Sequence, residues 1–204
     1  MIKLIDILNE NKILIDYPLK DNYINALIAK DSPELYIDKN STTYTNNNQL
    51  KDINSPFYDF GGGAFSINSP NNTVIDYTGE DNIYGAEFDI TDYTDVEDNT
   101  NLISGHQFDK YIDADLRKYI KLPPKNAINI TDALYNFIDN PPVIAKTIND
   151  ALLPGGLLVI SDHLGVVSKL LKKLPSYKLL ELNIRHWEAY KGDQDQLITV
   201  VLKK

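Results

Sequence analysis

An α/β fold built on a mostly parallel sheet is predicted by three features of this 204-residue chain. Ala127, Ile128 and Ile130 open an apolar run that breaks off at Asp132. Val143, Ile144, Thr147, Ile148, Ala151 and Leu152 then recur at helical spacing, which gives one face able to pack on a sheet. Leu157 to Ile160 form a continuous apolar run, as a strand covered on both faces requires. Pro154-Gly155-Gly156 divides helix from strand, because proline disfavours helix continuation and glycine tolerates positive φ. The unit reads strand, helix, turn, strand, and it ends in Ser161-Asp162-His163. In open α/β sheets that carboxyl edge is where ligands bind.

Composition narrows the function classes. The length suits one domain with a sizeable core, and 43% hydrophobic with 24% charged residues is a globular balance. A formal charge of -9 repels phosphate backbones, so nucleic acid is disfavoured as a partner. Without cysteine there is no disulfide framework, thiolate nucleophile or cysteine-based zinc site. The sequence holds no membrane-length apolar run, and MIKLIDILNENK carries acidic residues inside its apolar stretch, unlike a secretory signal. A cytoplasmic protein with no membrane association is the expectation.

Taken in order, Met1 to Ser32 has helical spacing at Ile2, Leu4, Ile5 and Leu8, then at Ile24, Leu27 and Ile28, with Pro18 between two helices. Glu34 to Ile37 continues as a short element. Lys39 to Asn54 is polar, a surface loop flanked by Tyr36 and Tyr44. Residues 1–54 are thus read as a leading helical and loop segment, a cap or acceptor-selecting element, and 55–204 as the main domain. Phe57 to Phe60 is a short strand preceded by Pro56, and it runs into Gly61-Gly62-Gly63. Such glycines let a backbone pass close to a ligand with amides facing it. The next residues, FSINSPNN, are poor helix formers.

Thr73 to Tyr77 and Tyr84 to Ile90 read as strands, and the turn residues TGEDN between them predict a hairpin. The acidic run Asp89, Asp92, Asp95, Glu97 and Asp98 lacks the glycine and terminal glutamate of a calcium loop and reads as a solvated stretch. Lys110 to Asp132 contains a strand ending near Asp115-Leu116-Arg117, then a second strand. Asp113 and Asp115 share an alternation face. Gly165 to Leu174 is an amphipathic helix, and Lys178 to Ile184 and Gln196 to Leu202 are closing strands. Trp187 and Tyr190 lie between those strands, in place either to line a pocket or to pack an edge.

The helix and strand around LLPGGLLVISD resemble the fourth strand, helix and fifth strand of class I S-adenosylmethionine (SAM) dependent methyltransferases, in which an L-x-P-G-G turn precedes strand five. The resemblance implies a Rossmann-like seven-stranded, mostly parallel sheet with an antiparallel strand near the C-terminus and helices on both faces. Asp59, Gly61 and Gly63 match the first motif, an acidic residue followed by x-G-x-G, with Gly62 inside it. In the family such an acidic residue accepts from the cofactor's amino group. Asp89 is the implied ribose-binding carboxylate, with Asp76 and Glu87 as alternatives. Asp115 and Leu116 match the adenine-holding position, and Asp132 matches the tip of strand four.

The resemblance further implies SAM as cofactor and methyl transfer to O or N of a small or medium-sized acceptor. His163, Asp132 and Tyr135 are the candidate catalytic residues, with His163 as general base. Asp132, Asp162 and His163 occupy places similar to a magnesium site of catechol-type enzymes, but histidine suits magnesium poorly, and no metal is expected. Asn140-Pro141-Pro142-Val143 is similar to the N-P-P-Y of adenine-N6 methyltransferases, with valine for the aromatic. A helix cap followed by prolines explains it equally. The alternative reading is a degenerate methyltransferase fold serving as a binding or regulatory subunit. A protein partner or homodimer stays open.

Overall fold

The computed structural model describes residues 19–38, 54–62, 66–67, 69–77, 109–185 and 196–204. Its elements are α1 (Asn22–Asp31), β1 (Glu34–Asp38), β2 (Phe57–Phe60), β3 (Asn72–Asp76), β4 (Lys110–Asp113) and β5 (Lys125–Thr131). A 3₁₀ turn (Leu134–Asn136), α2 (Pro141–Ala151), β6 (Leu152–His163), α3 (Leu164–Leu171), β7 (Lys178–Arg185) and β8 (Leu197–Lys203) complete them.

The described strands form one eight-stranded sheet in the order β1-β7-β8-β6-β5-β2-β3-β4. β8 runs antiparallel to both β6 and β7, and every other pairing is parallel. The predicted mixed sheet is therefore present, with one strand more than the predicted seven. The addition is β1, which pairs in parallel with β7 from Glu34↔Glu181 to Asp38↔Arg185. Its sequence, ELYID, is too short for its pairing to be read locally. An edge strand finds its partner through non-local hydrogen bonds.

Each element has a local cause. Asp21 caps α1 by accepting from the Tyr23 and Ile24 amides, both at 2.9 Å. Ser32 ends it with φ 48°, and Pro33 comes next. The PPVIAKTINDA periodicity becomes α2, with Ile144, Ala145, Thr147, Ile148 and Ala151 buried on one side. Pro154-Gly155-Gly156 sits in the extended entry of β6, where Gly155 takes φ +77° and a Cβ on Gly156 would meet the Asn126 carbonyl at 2.8 Å.

One core cluster joins Tyr58, Phe60, Ile128, Ile130, Leu158 and Ile160 of the sheet to Ile24 of α1, Ile148 of α2 and Val167 of α3, so the described helices share a sheet face. On the opposite face Phe57, Ala127, Val159 and Val201 are buried with Ile67. Burial on both faces explains the unbroken apolar run from Leu157 to Ile160 in β6. No described helix is long and apolar enough to cross a membrane.

One predicted pairing and one strand boundary are corrected. β3 has β2 on one side and β4 on the other, both parallel, so its edges are taken and Thr73–Tyr77 makes no hairpin with Tyr84–Ile90. The latter segment, Asp89 included, lies outside the described residues. The strand beside β2 is Asn72–Asp76, which makes Asp76 the carboxylate at that strand's tip. The strand predicted to end near Asp115-Leu116 stops at Asp113, and those two residues lie in the turn beyond it.

Candidate functional site

Parallel pairing puts the carboxyl ends of β4, β3, β2, β5 and β6 on one rim in that order. The residues there are Asp113, Asp76, Gly61, Asp132 and Asp162-His163. At roughly 4.8 Å between strands this rim spans about 20 Å, room for a nucleoside with an amino-acid tail. The chain proceeds from β2 outward to β3 and β4, then returns to place β5 on β2's other side. The reversal lies between β2 and β5, and a crevice forms at such a point.

Gly61 stands at the reversal with φ +67°, and its amide donates to the Ile75 carbonyl at 2.7 Å. A Cβ there would lie 2.6 Å from the Ala133 Cβ and 3.2 Å from Phe137. Glycine is thus demanded both by backbone conformation and by the approach of the segment after β5. At Gly62 a Cβ would come 2.3 Å from Ser66 Oγ and 2.9 Å from the Asp59 carboxyl carbon. Gly63 lies outside the described residues.

Asp59 alternates to the same sheet face as Phe57 and is 1% exposed. Its Oδ2 accepts from the Ile67 amide at 2.8 Å and from Asn72 Nδ2 at 3.4 Å, while Oδ1 accepts from Asn129 Nδ2 at 2.8 Å. Burial pushes this carboxyl up to about 6 against the pull of those donors. The side chain lies beneath the glycine turn and holds it from within. Sequence reading missed its partners Asn72 and Asn129, although an asparagine inside the apolar run AINIT was a visible anomaly.

Asp76 is half-buried at the tip of β3 and accepts from the Tyr77 amide at 2.8 Å. Asp115 accepts from the Arg117 amide at 3.0 Å and from Arg117 Nε at 2.9 Å, with Lys118 Nζ at 3.4 Å. Although partial burial opposes ionisation, these partners together hold its carboxyl below the usual range. Arg117 also lies 5.2 Å over the Tyr77 ring. Leu116 is buried beside this turn.

Asp132 comes directly after β5 with φ 50°, and its amide donates to the Ser161 carbonyl at 2.9 Å. Tyr135 is 42% exposed on the 3₁₀ turn. Asp162 is fully buried and accepts from the Leu134 amide at 2.9 Å and the His163 amide at 2.7 Å. Burial raises its carboxyl above the ordinary range, and the nearby Asp132 charge adds to that. His163 is half-buried at the start of α3.

The rim therefore brings Gly61, Asp76, Asp132 and His163 to successive strand ends and turns Asp59 and Asp162 inward as supports. Gly61 and Gly62 leave the reversal free of side chains, Asp76 presents a carboxylate that can accept hydrogen bonds one strand away, and buried Leu116 lies beyond it. Asn140 sits at the N-cap of α2 without a side-chain cap bond, ahead of prolines in the first turn. Trp187 and Tyr190 lie outside the described residues.

Neither a family model nor a curated protein sequence matches the chain. Solved structures do. A SAM-dependent methyltransferase from Methanosarcina mazei superposes with a TM-score of 0.52 at 10% identity, covering 79% of this chain and 99% of that one. The O-methyltransferase segment of StiE gives a TM-score of 0.52 at 14% identity, covering 76% of this chain and 71% of that one. Together with the strand order, these likenesses identify the architecture: the chain has the class I SAM-dependent methyltransferase fold, widened by one parallel strand at its edge.

Proposed function

We propose that the protein is a SAM-dependent methyltransferase acting on O or N of a small or medium-sized acceptor. The observation that carries this reading is the succession of Asp76, Gly61 and Asp132 on neighbouring strand tips around the chain reversal. When bound, SAM supplies the electrophilic methyl group. In this reading the Gly61–Gly62 backbone approaches the amino-acid end of the cofactor, and Asp76, rather than Asp89, accepts from the ribose hydroxyls. Leu116 and the backbone beside Asp115 form the adenine wall.

Asp132 closes the floor between cofactor and acceptor. His163 takes the acceptor's proton and Tyr135 orients the acceptor, since such transfer needs alignment and proton removal more than covalent help. In this reading residues 1–54 select the acceptor. The cytoplasm remains the proposed compartment.

Calorimetric titration with S-adenosylhomocysteine tests the reading. Binding in the wild type and its loss in Gly61→Arg are expected, and absence of both heat and thermal stabilisation at saturating ligand overturns it. His163→Ala should lower kcat about 10²- to 10⁴-fold with ligand binding retained. Unchanged turnover would remove His163 from the base role.

A further inference from the structure

The outer side of α2 separates two clefts whose charge runs against that of the whole chain. The first, of about 300 Å³, lies between α2 and the segment joining α3 to β7. Pro142, Ala145, Leu174 and Pro175 give it apolar walls, and Lys146 and Lys173 stand among them. The second, of about 450 Å³, lies between the last turn of α2, the connector before β5 and the entry of β6. Leu122, Pro124, Leu153 and Pro154 line it together with Lys121 and Lys204. Asn149 borders both clefts.

The chain carries 29 acidic against 20 basic residues, yet among the described residues Asp150 is the one carboxylate side chain lining either cleft. Lys146 Nζ already engages it at 2.5 Å and the Tyr119 hydroxyl at 3.0 Å. Lys146 also lies 3.9 Å over the Tyr119 ring, so this ridge is fixed before any partner arrives. Lys204 Nζ donates to the Asn149 and Leu152 carbonyls at 2.6 and 2.7 Å, and the Gly155 amide holds the Lys204 backbone oxygen at 3.0 Å. Lys121 and Lys173 are exposed, with no ion-pair partner among the described residues. Tyr119 and Leu153 are 43% and 37% exposed beside them.

We propose that this surface docks another protein through an acidic segment bearing apolar side chains, which enter the clefts while its carboxylates meet Lys121 and Lys173. Apolar anchors seated in hollows and bordered by complementary charge are how such contacts gain affinity and register. Concavity separates this partner from other anionic ones. A membrane takes up apolar groups that project from a surface, whereas Tyr119 and Leu153 border a hollow. Nucleic acid calls for cations along a polar track, and these lysines are set in apolar walls. A second copy could offer its acidic strand tips, but that contact is head-to-tail and leaves both ends of a pair unsatisfied. The surface lies off the carboxyl rim, and the proposal stands whether or not SAM binds.

The test uses the full chain and a synthetic peptide of repeating Glu-Leu-Leu-Glu units, with Gln-for-Glu and Ser-for-Leu versions as controls. Binding with a Kd of about 0.1–1 mM is expected, weakening about tenfold in roughly 0.5 M salt. Amide chemical shifts should move at residues 119–122 and 149–153. Lys121→Glu, Lys173→Glu and Leu153→Ser should each weaken binding about three- to tenfold. All three positions are exposed, so melting temperatures should stay at the wild-type value. Equal binding of either control peptide, or shifts confined to other surfaces, overturns the proposal, as does absence of binding at about 1 mM. Tighter association with phosphatidylcholine–phosphatidylserine vesicles than with the peptide assigns the surface to a membrane instead. Self-association in sedimentation that Lys121→Glu abolishes assigns it to a second copy, and either result overturns the proposal.

Discussion

Gly61 and Asp162 constrain the same point of the rim from opposite sides. The Asp162 carboxylate holds the Leu134 amide, and the adjoining Ala133 presses on Gly61. Gly61→Ala should therefore cost about 1–2 kcal/mol for left-handed backbone and roughly 1–3 kcal/mol more for overpacking, read by urea unfolding. Adding Ala133→Gly should restore only the overpacking part, because φ +67° is unchanged by it. Full restoration would show that sterics alone demand the glycine. Asp162→Ala leaves the Leu134 and His163 amides without their acceptor, at about 1–3 kcal/mol for each amide that stays buried and unpaired. A wild-type melting curve for that variant would show that the amides find other partners.

Among the elements, the C-terminal half was legible in outline because each of its segments carries its own period. The helical spacing of PPVIAKTINDA and the apolar run in β6 come from burial against a sheet, which imprints 3.6-residue or continuous patterns directly on sequence. β1 and β3 were harder. ELYID alternates weakly, and TVIDY is compatible with a hairpin until β4 is seen on its far edge. α1 announces its start through Asp21, and Asp21→Ala should cost about 1 kcal/mol in chemical unfolding if the cap acts as in other helices. The Asp31 carboxylate extends that helix's hold by accepting from the Leu179 amide of β7 at 2.7 Å.

For the molecule as a whole, buried carboxyls set part of the pH profile, and the sign can be worked from the direction of each shift. Asp59 has a folded value of about 6, above its ordinary value of 3.8, so the folded protein binds more protons there in the interval between them. The stability it contributes is complete below the lower value and is lost as pH rises through the upper one. Asp162 acts in the same direction. Asp115 and Asp21 are lowered, so the stability they contribute is present above their unfolded values and is lost as pH falls through the folded ones. Unfolding free energies of Asp59→Asn measured from pH 4 to 6 should decline less with pH than those of the wild type. Identical slopes would mean that this carboxyl does not govern the interval.

Residue order by itself determined the alternation of strands and helices after Lys110 and the break at Asp132, because these depend on local period and on proline and glycine backbone limits, while the antiparallel closing strand was implied by the family resemblance. Only the tertiary structure decided that Asp59 points inward to Asn72 and Asn129, that Asp76 stands at the tip beside Gly61, and that an eighth strand extends the sheet. Those outcomes depend on which strands lie side by side and in what register. A short buried strand such as FYDF carries no pattern that says which of its faces meets a cofactor and which meets the core.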